Sequence, residues 1–239
     1  MTSPILDLDG ALKGLFKDRD WPFKIMMGGF INCAALALLK VNTGFVPVSF
    51  GMLGLTYGYL LRTMRQSIKG ELEVLPDWSD ITDLLVSGLS WLSICLGFGF
   101  FTLSLLVVSL LAADNNKILK MESPSFFLWA ASTFVVTYGL IFCFKFFLAV
   151  LMANFAEDEK MLAGFAWFKV IRRISRRPLP LLIAWLAGLT FSFSAVLFPT
   201  ISVVGMLLVP FLSFLADVIA VRMIGQAWIA SAQETQVQN

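Results

Sequence analysis

Long apolar stretches alternate with short polar intervals along the chain, and the stretches are of membrane-crossing length. The first, Ile25–Leu39, becomes an adequate span when Phe23, Lys24, Lys40 and Val41 are added, because both lysines can extend their heads towards water. Asn42-Thr43-Gly44 separates it from Phe45–Leu61, which predicts a helical hairpin with Pro47 in the first turn of the second helix. Leu84–Ala113 holds 30 residues without a formal charge, enough for one tilted span and too few for two. A fourth stretch runs from Ser125 to about Phe155, a fifth covers Leu179–Phe198 and a sixth Ile201–Val221. Pro210 inside the last predicts a kinked or split helix. The predicted fold class is therefore all-α, a polytopic integral membrane protein with about six transmembrane helices plus amphipathic cytoplasmic helical elements.

The polar intervals order the rest. Phe155–Pro178 carries Glu157, Asp158 and Glu159, then Lys160, Lys169, Arg172, Arg173, Arg176 and Arg177. Bases this dense between two spans favour the cytoplasmic side. The acids and bases predict the two ends of one amphipathic surface helix, with Phe165, Trp167, Phe168 and Ile171 supplying its apolar side. Six spans then place both termini in the cytoplasm, in a bacterial inner membrane or an internal membrane. Arg62, Arg65 and Lys69 continue one side of the second helix and suit anionic headgroups. In the following interval, 70–83, five carboxylates occur without a base. Asp77 and Asp80 have capping-box spacing, so helix capping is favoured over a cation site. Charge attraction between the 62–83 and 157–178 elements is a further expectation. The organisation predicted is a cytoplasmic arm over 1–22, one membrane domain over 23–230 and a flexible tail over 231–239. The arm has no secretory-signal pattern, and its leucines suit a short interfacial helix.

Composition sharpens this. The chain is 58% hydrophobic and only 14% charged, against roughly 25% charged in ordinary soluble domains. A net charge of +2 gives no reason to expect nucleic acid. With no histidine, the commonest metal ligand and acid–base group is missing. Cys33, Cys95 and Cys143 read as buried small apolar side chains. No nucleotide, zinc-protease or hydrolase motif occurs, so no catalytic, metal or cofactor residues are expected and the chain does not read as an enzyme. Gly51, Gly54 and Gly58 offer a flat face for helix packing. Lys145, among phenylalanines, reads as snorkelling, as half of an ion pair with Asp217, or as a transport or ligand residue.

The segment Tyr57–Asp80, YGYLLRTMRQSIKGELEVLPDWSD, resembles a family of uncharacterised prokaryotic polytopic membrane proteins. That family is marked by Gly-Tyr, Arg, Gly and then Leu-Pro-(Glu/Asp)-Trp, here Gly58, Tyr59, Arg62, Gly70, Leu75, Pro76, Asp77 and Trp78. The resemblance implies a multi-span fold and assigns no activity. The favoured expectation is a membrane-embedded interaction, scaffold or assembly protein acting on other membrane proteins or lipids. The alternative is a small solute or ion transporter. The residues expected to meet a partner or an anionic headgroup are Arg62, Arg65, Lys69, Trp78, Lys169, Arg172, Arg173, Arg176 and Arg177. Expected partners are anionic lipids, other integral membrane proteins or a second copy of the chain.

Overall fold

The computed structural model describes residues 14–115, 124–158, 160–176, 178–197 and 199–233. Arg177, Glu159, the arm before residue 14 and the tail after residue 233 lie outside the described residues, as does 116–123. Seven α-helices have both ends among the described residues: α1 Trp21–Val41, α2 Val46–Lys69, α3 Ile81–Asn115, α4 Pro124–Asp158, α5 Trp167–Arg176, α6 Pro178–Leu197 and α7 Val203–Gln233. All but α5 contain a stretch long and apolar enough to cross a membrane, six candidate spans among the described residues. The protein is an all-α, multi-pass integral membrane protein.

Two compact units are present. The first comprises 1–92 and 149–239, the second 93–148. In the first, α1, α2, α6 and α7 form a helical bundle whose exposed faces are apolar. Phe23, Met26, Met27 and Phe30 lie at one-turn spacing on α1 and all face outward, as suits lipid contact. Charged groups are instead drawn inward, with Asp18, Lys24 and Arg222 all buried. Small residues allow the closest approaches. A Cβ on Gly88 would stand 1.7 Å from the Gly54 carbonyl oxygen, and one on Gly58 would stand 1.9 Å from that of Leu84. The α2–α3 crossing is therefore backbone against backbone. Gly54 and Gly58 form the predicted flat face, but Gly51 meets nothing within 4 Å. In the second unit Phe98 makes edge contacts with Phe144 and Phe147, at 5.8 and 6.2 Å between ring centres.

Several local expectations are corrected. Helix α3 starts at Ile81, and the Asp80 carboxylate accepts from the Asp83 amide at 3.4 Å, so Asp80 rather than Asp77 stands at its start. Pro210 lies inside an unbroken α7, not at a split. That helix reaches Gln233, so Ser231 is buried in the fold instead of opening a flexible tail. Cys33 and Cys143 are exposed on their helices rather than buried. The 157–178 interval is not one helix. Glu157 and Asp158 end α4, a 3₁₀ turn covers Met161–Phe165, and α5 follows. The buried Asn154 amide donates to the Ala163 carbonyl at 2.8 Å and ties that turn down. Two acids thus sit at a helix C-terminus, where the dipole disfavours them, and need cations brought from elsewhere.

Candidate functional site

The first polar cluster is built around the Leu-Pro-Asp-Trp turn. Helix α2 ends at Gly70, which adopts φ 81° while the Glu71 amide donates to the Gln66 carbonyl at 2.9 Å. This left-handed cap suits glycine and reverses the chain. The returning irregular segment buries Leu75 and Pro76. The Leu75 amide donates to the Asp18 carboxylate at 3.0 Å, and its carbonyl accepts from Lys24 Nζ at 2.8 Å. Lys24 also pairs with Asp18 at 2.9 Å and Asp77 at 2.8 Å. The Trp78 indole donates to the Lys24 carbonyl at 3.1 Å, and its ring lies flat on Tyr59. Arg62 completes the cluster. Its guanidinium donates to the Ser79 carbonyl at 2.8 Å and to Asp83 at 2.9 Å.

Electrostatics here are internally balanced. Burial pushes the Asp18 carboxyl up, but hydrogen bonds from Lys24 and the Asp20 and Leu75 amides, with the Lys24 charge, hold it below its ordinary value. Lys17 bonds exposed Glu73 at 2.9 Å and draws that carboxyl down as well. Close by, Arg222 from α7 is 1% exposed and donates to the Leu72 carbonyl. Its Nη1 has no hydrogen-bond partner among the described residues, and neither does the buried Tyr59 hydroxyl.

A second cluster fastens α5. Arg173 Nη2 donates to the Trp228 carbonyl at 2.6 Å and its Nε to Ser231 Oγ at 2.9 Å. The guanidinium carbon lies 3.6 Å from the centre of the Trp228 ring. Glu157 accepts from Arg173 at 3.4 Å and from the Trp228 indole at 3.1 Å. Burial lowers the Arg173 pKa, and Glu157 and Asp158 oppose that shift. Lys169 bonds Asp158 at 2.8 Å. These are the cations that the acids ending α4 require. They also correct the expectation that 157–178 binds the acidic interval: Lys169 and Arg173 pair with Asp158 and Glu157, while Glu73, Asp77 and Asp83 of that interval pair with Lys17, Lys24 and Arg62.

The residues expected to meet partners therefore divide. Arg62, Trp78 and Arg173 are engaged in the two clusters. Lys69, Arg172 and Arg176 are exposed and Arg65 is half-buried. Phe168, Lys169, Arg172, Arg173, Arg176, Ser231 and Ala232 line an open groove of about 580 Å³ between α5 and the end of α7. Lys145 belongs to the second unit, where it is exposed, and Asp217 to the first, where it is half-buried. Among the described residues no group of three or more Cys, Asp or Glu is placed to hold a metal ion. Sequence reasoning missed Asp18 and read Lys24 as snorkelling. An acid just before Trp21-Pro22 and a lysine in the first turn after it were the available signal.

The structure draws the marker residues of one sequence pattern into a single place: Tyr59, Arg62, Leu75, Asp77 and Trp78 all join the first cluster, and Gly70 makes the turn that delivers them. No curated protein and no solved structure matches the chain. Residues 44–209, which contain that whole pattern, match the family described as protein of unknown function (DUF4013), and the chain belongs to that family.

Proposed function

We propose that the chain is a membrane-embedded interaction or assembly protein that engages other membrane proteins or lipids. The observation that carries this reading is the division of labour on α5. Arg173 holds the helix to α4 and α7, while Trp167, Phe168 and Ile171, with Arg172 and Arg176, remain exposed. A short amphipathic helix clamped in this way presents a fixed apolar and basic surface. The dense bases of this region favour the cytoplasmic side, which puts both termini in the cytoplasm of a bacterial inner membrane or beside an internal membrane.

Purification of the tagged protein in mild detergent, followed by identification of retained proteins and lipids, tests the reading. Specific membrane proteins or lipids should remain bound in fixed proportion. Recovery of the chain alone, together with solute or ion flux in proteoliposomes that Lys145→Ala abolishes, would establish the transporter alternative instead. Orientation is checked separately by labelling single cysteines placed at residue 19 and near residue 233 from each side of the membrane.

A further inference from the structure

We propose that the groove between α5 and the end of α7 is a binding site for an anionic phospholipid, with Arg172 and Arg176 holding the phosphate. This rests on the reading of the chain as a protein that engages membrane components, and it names one of those components. Four cations line the groove, but they are not equivalent. Lys169 and Arg173 are neutralised by Asp158 and Glu157, and Arg173 is spent on Trp228 and Ser231. Arg172 and Arg176 stand one helical turn apart, both exposed and both facing the same cavity. Two guanidinium forks at that spacing suit the oxygens of one phosphate, which they can grip through paired charge-assisted hydrogen bonds.

The surroundings favour a lipid over a free ion. Phe168 lines the same groove and is 78% exposed, while Trp167 and Ile171 beside it are also exposed. A phosphate held by the arginines would bring acyl chains alongside these side chains, which a bare anion would leave in water. The groove also opens beside the ends of two candidate spans, α4 and α7, so a headgroup can enter it without leaving the bilayer surface. Glu157 and Asp158 limit the positive charge at the inner wall and direct the binding to the two outer arginines.

The test uses the full chain, purified in detergent, with dioleoyl phosphatidylglycerol, dioleoyl phosphatidylcholine and inorganic phosphate as probes and native mass spectrometry as readout. The wild-type protein should retain phosphatidylglycerol in preference to phosphatidylcholine. Arg172→Gln with Arg176→Gln should weaken that binding about 25-fold, at about fivefold for each basic residue lost at an anionic surface. Both side chains are exposed, so the double variant should keep the wild-type melting temperature, and Arg172→Lys with Arg176→Lys should recover part of the affinity. Arg19→Gln with Lys160→Gln, two exposed bases that do not line the groove, removes the same charge elsewhere and should change binding less than twofold. Equal loss in the two double variants would show diffuse surface attraction and overturn the site. So would inorganic phosphate displacing the lipid at millimolar concentration, which would make the ligand a free anion. Loss of lipid selectivity with membrane-protein partners still retained would remove this site and leave the broader interaction reading standing.

Discussion

Trp78 lies flat on Tyr59, with ring centres 4.3 Å apart and planes 13° from parallel. Phe214 of α7 touches both, at 5.8 Å from Tyr59 and 6.2 Å from Trp78. The Leu-Pro-Asp-Trp turn is thereby stapled to α2 and α7 at once. Trp78→Phe should keep the stack and lose the indole bond to the Lys24 carbonyl, costing about 1 kcal/mol. Trp78→Ala should cost about 3 kcal/mol, the low end for deleting a large aromatic from a packed site. Thermal unfolding in detergent, followed by circular dichroism, orders the two variants. Equal stability of wild type and Trp78→Ala would mean the turn is held by its ion pairs alone.

Those ion pairs give the protein a defined response to acid. The Asp18 carboxyl is held below its ordinary value of 3.8. A depressed carboxyl stabilises the fold fully above its unfolded pKa, and the contribution fades as pH falls towards and through the folded value. Melting temperature should therefore drop as pH is lowered below about 4. Asp18→Asn should begin about 3 kcal/mol less stable near neutrality, because it leaves buried Lys24 with Asp77 as its remaining carboxylate. Its acid slope should be shallower than wild type, and an unchanged slope would assign the acid response to other carboxylates.

Much of this architecture is legible in the apolar runs, and the reasons for the misses are physical. Span number and approximate limits follow from length and charge, since hydrocarbon leaves the backbone little choice but a helix. The Leu-Pro-Asp-Trp pattern also stands out in sequence, yet its role does not. Asp77 fits a capping box equally well by spacing, and only the arrival of Lys24 from α1 decides for the ion pair. Glu157 and Asp158 similarly suit the start of a surface helix. They end α4 instead, because helix-forming residues continue through Asp158 and Arg173 comes back to meet them. Partners distant in sequence decide both cases, and local pattern carries no record of them. The candidate groove is half legible: its arginines are obvious, but Ser231 and Ala232 fall where a tail was expected.

Glycines that look alike in sequence should behave differently. Gly88→Ala would drive a methyl group into the Gly54 carbonyl and Gly58→Ala into that of Leu84. Neither obstacle is a flexible side-chain tip, so each variant should cost about 3 kcal/mol or fail to accumulate. Gly51→Ala meets open space in the same helix and should raise stability by up to about 1 kcal/mol through helix propensity. Melting temperatures of the three variants in one detergent check the contrast, and Gly58→Ala and Gly88→Ala as stable as Gly51→Ala would mean that α2 and α3 do not cross this closely.

Adjacent arginines on α5 should separate in the same manner. Arg173 is bonded to Trp228, Ser231 and Glu157, whereas neighbouring Arg172 is exposed in the groove. Arg173→Ala leaves the Glu157 carboxylate without its guanidinium and uncovers the Trp228 ring, which should cost about 2–3 kcal/mol. Arg173→Lys should recover only part of that, since an ammonium cannot reproduce three directed bonds from one planar fork. Arg172→Ala should stay within about 0.5 kcal/mol of wild type, as exposed substitutions usually do. Limited trypsin digestion gives a local readout besides melting. Cleavage after Lys169 and Arg176 should accelerate in Arg173→Ala, because α5 would open away from α7 more often, and remain at the wild-type rate in Arg172→Ala. Acceleration in both variants would mean that α5 is held by its net charge at a surface and not by the Arg173 clamp.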